Sequence, residues 1–328
     1  MTDLRINHAR VLTMVGPDGA PGVQRGGSLG TLGPIDDAWV HITDGIITDV
    51  GPESRPAPRA AHSIDAKGRV VMPGFIDCHT HACWAGDRLD EWDRKRAGAT
   101  YLEILASGGG IMSTVRAVRD AAVEALTAGL ARHLAAMHGE GTTTVEAKSG
   151  YGLAAKAEMK MLDAIRAASD TAIATALLGH ALDPDVERSA FIASMIGPAL
   201  DAAHDQFPGI TLDAYCETGA WSVDECAELF TRGASLGHPF RVHADQFNAL
   251  GMTEWAVDHG AISVDHLEAS TEAGLTKLAK SDTFGVMLPA CGFHLDGRYA
   301  NGRAFVDRGG ALALATNFNP GSAPCCSM

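Results

Sequence analysis

From about residue 70 the chain repeats one pattern eight times: a short apolar run with a polar end, a glycine-rich or acidic loop, and an alanine-rich stretch. The apolar runs span residues 70–81, 141–149, 171–181, 210–217, 239–246, 261–268, 283–290 and 311–319. The stretches between them carry apolar residues at three- and four-residue intervals, which is typical of amphipathic helices. Continuous apolar strands that alternate with helices indicate a parallel sheet covered on its outer face. Eight such units predict an α/β fold, a closed (β/α)8 TIM-type barrel.

Residues 1–69 follow a different pattern, with short alternating segments. One of them, DAWVHITDGIITDVG, has Asp-Gly at its centre and predicts a β-hairpin. We therefore expect a small N-terminal β-sandwich domain over 1–69 and the barrel over 70–328.

Composition limits the classes of partner. A formal net charge of −14 argues against nucleic acid and against an anionic membrane surface, since both need a basic patch. We find no signal peptide and no apolar stretch of the ~18 residues that a membrane helix needs. The seven cysteines are odd in number and irregularly spaced, which favours reduced thiols and a cytoplasmic location.

Polar side chains stand at the ends of the candidate strands, where this fold builds its active sites. They are His79, His81, Glu146, Lys148, His180, Glu217, His243, Gln246, Asp265, His266, Asn317 and Asn319. Each one alone also fits a solvated loop residue or a satisfied strand end. Polar residues at so many strand ends indicate a shared site.

His79 and His81 are one residue apart at the end of the first candidate strand, so their side chains point the same way with roughly 7 Å between Cα atoms. The spacing alone also fits two structural histidines. His243 supplies a third imidazole, and His266 ends the sixth run. Neutral imidazoles suit zinc or iron, which lower the pKa of water toward ~7.

The order of these motifs resembles the amidohydrolase superfamily, metal-dependent hydrolases of cyclic amides and related C–N bonds. Within it, the chain closely resembles the imidazolonepropionase family of histidine degradation. The segments that carry the resemblance are PGFIDCHTHACWAGDR, GGGIMSTVRAVR, GTTTVEAKSGYGL, HADQF, SVDHLE and NFNPGSAP. It implies a small-molecule substrate, 4-imidazolone-5-propanoate, and its hydrolysis to N-formimidoyl-L-glutamate.

The resemblance also implies roles for individual residues. The metal ligands are His79, His81 and His243, with Asn317 at the fourth position. The substrate-binding residues are Arg88, Tyr151, His180, Gln246, Asn319, Gly321 and Ser322. We add Tyr101 as a second aromatic residue for the ring, although burial in the core is the commoner fate of either tyrosine. We place His266, Gln246 and Asn317 in the catalytic set, with His266 as the residue that shuttles a proton or polarises the ring carbonyl. Lys148 and Glu146 are left out because they equally fit a structural ion pair.

The chemistry of the residues agrees with these roles. Arg88 can bind the propanoate carboxylate with two parallel hydrogen bonds, although a surface arginine is the alternative. The NPGS segment offers backbone N–H groups and a hydroxyl for an anionic or carbonyl group, and an ordinary turn is its alternative.

The chain departs from the family pattern in two places. Position 317 is asparagine where the family has aspartate, so it brings no charge and accepts no proton at neutral pH. The chain also stops at Met328, where the family continues, so either it is a fragment or its small domain is incomplete. Alternative functions are a catalytically silent binder and another cyclic-amide hydrolase or deaminase. The sequence leaves zinc and iron open, and we expect a homodimer.

Overall fold

A computed structural model describes residues 3–16, 19, 22–99, 103 and 109–328, so Tyr101 lies outside the described residues. The chain divides into two compact units, Met1–Gly74 and Phe75–Met328. The sequence placed the domain boundary after residue 69. Strand β5 (Val70–Val71) pairs with the first strand of the chain, which puts these two residues in the smaller unit.

The smaller unit contains one mixed sheet of five strands, in the order β3-β2-β1-β4 with β5 also beside β1. The remaining strands are β1 (Asp3–Leu12), β2 (Pro34–Thr43), β3 (Ile46–Pro52) and β4 (His62–Asp65). Asp44 and Gly45 join β2 to β3 as the predicted hairpin, and both have positive φ, 51° and 81°, as a tight hairpin turn requires. The small β-unit is confirmed, whereas the second layer of a sandwich stays a prediction.

The larger unit is built on eight parallel strands, and each predicted run contains one of them. They are β6 (Phe75–Asp77), β7 (Thr142–Lys148), β8 (Ala172–Gly179), β9 (Thr211–Cys216), β10 (Val242–Ala244), β11 (Ser263–His266), β12 (Phe284–Met287) and β13 (Leu312–Leu314). Backbone hydrogen bonds join the segments after β6 and β13, from Asn317 N to His79 O and from His81 N to Phe318 O, both 3.0 Å. The predicted (β/α)8 barrel is confirmed.

Helices connect the barrel strands. They are α1 (Leu89–Arg96), α2 (Ile111–Asp120), α3 (Val123–Gly139), α4 (Ala155–Ala168), α5 (Arg188–Ser194), α6 (Leu200–Gln206), α7 (Val223–Ser235), α8 (Met252–Asp258), α9 (Glu272–Ala279), α10 (Pro289–Leu295) and α11 (Gly302–Asp307), with a π-helical turn at Met195–Ala199. Helix α7 shows why they form: Ser222 and Glu225 cap its start reciprocally. Its buried residues recur at helical spacing and face the sheet.

In the part of the chain that the structure describes, no helix is both long and apolar enough to cross a membrane.

Candidate functional site

Four of the predicted histidines meet at the carboxyl ends of the barrel strands. His79, His243 and His266 offer ligand atoms that all lie within 4.8 Å of one another, and all three side chains are buried. His81 lies beside this group, with its Nε2 atom 3.3 Å from Nε2 of His243. The tightest group therefore contains His266 in place of His81, although the sequence placed His81 among the metal ligands.

Carboxylates fix the tautomers of two of these rings. Nδ1 of His79 lies 2.5 Å from Oδ2 of Asp265, and Nδ1 of His243 lies 3.0 Å from Oδ1 of Asp213. Each carboxylate holds the proton on Nδ1, which leaves the lone pair on Nε2, as in histidines that bind metals. Burial lowers the pKa of His79 and of His243, so both imidazoles are neutral. Burial likewise lowers the pKa of His81.

The site also contains buried polar atoms that have no hydrogen-bond partner. These are Nε2 of His79, Nδ1 of His81 and Oδ1 of Asn317. A buried polar atom without a partner costs about 1–3 kcal/mol, so such a cluster favours a group that satisfies several of them at once. Neutral imidazole nitrogens and an amide oxygen are ligands for a divalent metal ion. The residues present fit a metal ion.

A buried ion network lies beside the histidines. Nζ of Lys148 is 2.8 Å from both Glu146 Oε1 and Asp213 Oδ2. Arg241 donates from Nε to Asp265 Oδ2 at 3.0 Å, and Nη2 of Arg241 contacts the same oxygen. Two cationic side chains thus face three carboxylates, which leaves one formal negative charge in excess. This charge favours a cation among the neutral imidazoles.

Sequence reasoning missed Asp213 and Arg241. The signal was present, because both are charged residues inside runs that are otherwise apolar, and Arg241 stands two residues before His243 on the same face of the strand. A charge in a buried strand needs a partner in the site. The structure also assigns Lys148 and Glu146 to the ion pair that the sequence had left as an alternative.

We predict that Lys148→Met lowers the free energy of unfolding by about 3–5 kcal/mol, because the change removes the nearest cation from two buried carboxylates, Glu146 and Asp213. Urea denaturation measures the loss. The control is Lys156→Met, at an exposed position of α4, for which we expect less than about 0.5 kcal/mol. Equal stabilities for the two variants would contradict a structural role for Lys148.

His180 and Tyr151 lie against His81. The His180 ring stacks on His81 with centroids 4.9 Å apart and 20° between the planes, and the Tyr151 ring centroid is 5.1 Å from that of His180. Burial lowers the pKa of His180 to about 3, so its ring is neutral. Its Nδ1 lies 2.9 Å from Gly150 O and donates to it, which leaves Nε2 as an acceptor. The pair is positioned to contact a planar ring.

Arg88 is largely buried and packs against the loop that carries Gly321. Its Nη2 atom donates to Oε2 of Glu91 at 2.7 Å, and Glu91 Oε1 accepts from Gly110 N at 2.8 Å. A Cβ atom on Gly321 would stand 2.0 Å from Nη1 of Arg88, so any larger residue there would displace the guanidinium. Nε of Arg88 is buried without a partner. Glu91 therefore fixes the position of the guanidinium, and its Nε–H group remains available to a ligand.

The NPGS loop, residues 319–322, does not offer the free backbone N–H groups that the sequence predicts. Oδ1 of Asn319 accepts from Gly321 N at 2.8 Å and from Ser322 N at 2.7 Å, so these backbone donors are bonded within the loop. The Asn319 side chain closes this turn, and its Nδ2 also donates to Asn317 O at 2.6 Å. The Ser322 hydroxyl is bonded within the loop as well, since it donates to Asn319 Oδ1 at 3.2 Å and accepts from Asn319 Nδ2 at 3.0 Å, so an anion would have to displace one of these bonds.

Gln246 and His266 contact residues that the sequence had not singled out. Nε2 of Gln246 donates to Cys291 Sγ at 3.5 Å, and Nδ1 of His266 lies 3.3 Å from Glu268 Oε1. Glu217 is buried and accepts from the backbone N–H groups of Phe247 and Asn248 at 2.8 and 3.1 Å. Glu217 thereby fixes the loop that carries Gln246.

Comparison with known proteins identifies the family of the chain. A family model described as the amidohydrolase family matches residues 62–110. The imidazolonepropionase of Deinococcus radiodurans is 43% identical over 308 residues, covering 94% of this chain and 77% of that protein. The imidazolonepropionase of Chloroflexus aggregans is 40% identical over 346 aligned positions, covering 99% and 80%.

Solved structures share the fold at low identity. A triazine hydrolase variant matches with a TM-score of 0.70 and 17% identity, over 98% of this chain and 73% of that one. The 5-methylcytosine deaminase from Klebsiella pneumoniae matches with a TM-score of 0.68 and 16% identity, over 96% and 76%. These matches concern the fold, whereas the identity to the two sequence relatives shows that the chain belongs to the imidazolonepropionase family of the amidohydrolases.

Proposed function

We propose that the chain hydrolyses 4-imidazolone-5-propanoate to N-formimidoyl-L-glutamate. The observation that carries this proposal is the set of neutral histidines, His79 and His243 above all, whose Nδ1 atoms are held by carboxylates. Family membership supports a hydrolase, and the buried Arg88 supports a substrate with a carboxylate. Neither alternative, a silent binder or another cyclic-amide hydrolase or deaminase, is favoured by the relatives.

We assign metal binding to His79, His81 and His243, with Asn317 beside them and either zinc or iron as the ion. Such an ion polarises the amide carbonyl and lowers the pKa of water when it is bound. Asp265 and Asp213 keep the Nε2 lone pairs of His79 and His243 available. Asn317 contributes an amide oxygen that can orient the attacking water but cannot accept a proton from it.

His266 is the proposed general base and acid. Its side chain is buried beside the metal ligands, and its Nδ1 faces the Glu268 carboxylate at 3.3 Å, which orients the ring. As the oxygen of water adds to the ring carbonyl carbon, His266 takes a proton from the water. It returns that proton to the ring nitrogen when the C–N bond breaks, so the product carries a new carboxylate.

The substrate is held by side chains on the neighbouring loops. Arg88 binds the propanoate carboxylate with donors that Glu91 does not occupy. Burial raises the pKa of Tyr151 and the Arg88 charge opposes this shift, which indicates that the phenol is near the guanidinium. Tyr151 and His180 contact the imidazolone ring. We place Gln246, Asn319, Gly321 and Ser322 around its polar edge.

We predict that the purified protein converts the substrate, that a chelator abolishes turnover, and that added Zn²⁺ or Fe restores it. A kinetic assay with identification of N-formimidoyl-L-glutamate measures all three. Full metal occupancy without any product would contradict the enzyme and support the silent binder. Turnover unaffected by metal removal would contradict the metal assignment.

We predict that Arg88→Lys lowers kcat/KM by about tenfold or more, mainly through KM, because lysine keeps the charge but loses the planar fork. Steady-state kinetics measures the effect. The matched control is Arg303→Lys, an exposed arginine of α11, which should leave both constants unchanged. An Arg88→Lys enzyme with the parent kcat/KM would show that another group binds the carboxylate.

Assembly and location are part of the same proposal. We propose a homodimer, since symmetric dimers are the commonest oligomers, and a cytoplasmic location with reduced thiols. All seven cysteines are free. Light scattering on the purified protein tests the dimer.

A further inference from the structure

A second group of ligand atoms stands next to the histidine site. His266, Glu268 and Cys291 each offer one atom, and these atoms all lie within 4.8 Å of one another. His266 and Cys291 are buried, and the Glu268 side chain is 5% exposed. One imidazole, one carboxylate and one thiol supply the nitrogen, oxygen and sulfur ligands that zinc binds in proteins, and the thiol favours soft ions over hard ones.

The carboxylate of this group is incompletely satisfied. Oε2 of Glu268 is buried and has no hydrogen-bond partner. Its other oxygen lies 3.3 Å from Nδ1 of His266, beyond the usual distance of a charge-assisted hydrogen bond. A buried carboxylate oxygen without a partner is costly, so a cation at this point removes a cost that the protein's own groups leave in place.

The thiol is held facing polar neighbours rather than packed among apolar side chains alone. Gln246 Nε2 donates to Cys291 Sγ at 3.5 Å, and the side chains of Asn317 and Ser322 lie within hydrogen-bonding reach of it. Burial raises the pKa of Cys291 to about 12, so the group is an inert thiol until a cation displaces its proton.

This group is distinct from the metal ligands, although His266 adjoins both. Glu268 faces Nδ1 of His266 at 3.3 Å, which leaves the other ring nitrogen, Nε2, for the reaction. Neither Glu268 nor Cys291 belongs to the histidine group.

We propose that His266, Glu268 and Cys291 form a second cation site that takes a soft divalent ion such as zinc or cadmium. Binding replaces the thiol proton with the cation and releases that proton to the buffer, so it needs no oxidant or reductant. Because the cation holds the His266 ring as a ligand, that ring is withdrawn from the reaction, and excess soft metal inhibits turnover. The inhibition rests on the proposed function, whereas the binding does not.

The experiment is a cadmium titration of protein that already holds one equivalent of zinc, followed by the ultraviolet charge-transfer band of a cadmium–thiolate bond and by zinc release. The parent for all variants carries Cys325→Ser and Cys326→Ser, because two adjacent cysteines near the surface could bind cadmium themselves. We expect a second equivalent to bind with the thiolate band and without zinc release.

In this background Cys291→Ser should lose the band and weaken the second equivalent by about tenfold or more, and Glu268→Gln should weaken it while keeping the band. Cys83→Ala, at another fully buried cysteine, should change neither. A thiolate band that survives in Cys291→Ser overturns the proposal, and so does the absence of cadmium uptake beyond the one equivalent of zinc already bound.

If Cys291→Ser fails to fold, unchanged cadmium affinity in Glu268→Gln overturns the proposal. A thiolate band without inhibition supports the second site and contradicts His266 as the base.

Discussion

His243→Ala is expected to abolish both metal retention and turnover. The variant removes one of three imidazole ligands, and it also separates Asp213 from the ring that it orients at 3.0 Å. The expected loss of kcat/KM is about 10⁴-fold or more, because without the ion water is neither polarised nor oriented. Metal analysis of the purified variant and a turnover assay on the same sample measure the two effects together.

The control for this variant is His259→Ala. His259 is an exposed histidine that follows α8 and stacks on Trp255. The change therefore removes an imidazole that does not belong to the group of His79, His243 and His266. It should keep full metal content and full activity. Unchanged metal stoichiometry in His243→Ala would contradict the assignment of His243 as a ligand, whatever happens to the rate.

Asn317→Asp is expected to raise kcat by at least about tenfold with little change in KM. A carboxylate at this position takes a proton from the attacking water, a role typically worth about 10²–10⁴-fold, and it acts mainly in the transition state. The backbone accepts the change, since Asn317 has φ 56° and aspartate tolerates this left-handed conformation. Steady-state kinetics on the pair measures the effect.

The same substitution at Asn301 controls for added charge. Asn301 caps α11 by accepting from Ala304 N, a role that aspartate fills equally well, so Asn301→Asp should leave kcat unchanged. Equal kcat values for the parent protein and Asn317→Asp would show that position 317 transfers no proton. The base role would then fall wholly to His266.

The barrel was predictable because its signal is local and repeated. Seven of the eight apolar runs carry polar residues at or near their end, and the stretches between the runs show helical periodicity, so eight units could be counted in the sequence. The convergence of His79, His243 and His266 followed from the fold, since parallel strands bring their carboxyl ends to one rim. The barrel strands pair in the order in which they occur in the sequence, so their order needed no information beyond the count of units.

The charge network was harder to predict, because partners distant in sequence define it. Arg241 reaches Asp265 and the carbonyl of Cys78, contacts that no spacing rule reveals. The same holds for the NPGS loop, in which Asn319 consumes the N–H groups of Gly321 and Ser322. Whether a side chain bonds its own loop or a ligand depends on backbone geometry, which the residue types alone do not determine.

A crystal structure of the metal-loaded protein with N-formimidoyl-L-glutamate bound tests the central claim most directly. The account predicts a metal ion held by His79, His81 and His243, with the propanoate carboxylate of the product on Arg88 and its newly formed carboxylate beside the metal ion. A product bound away from these histidines, or a metal ion held by other residues while the product occupies the pocket, would contradict it.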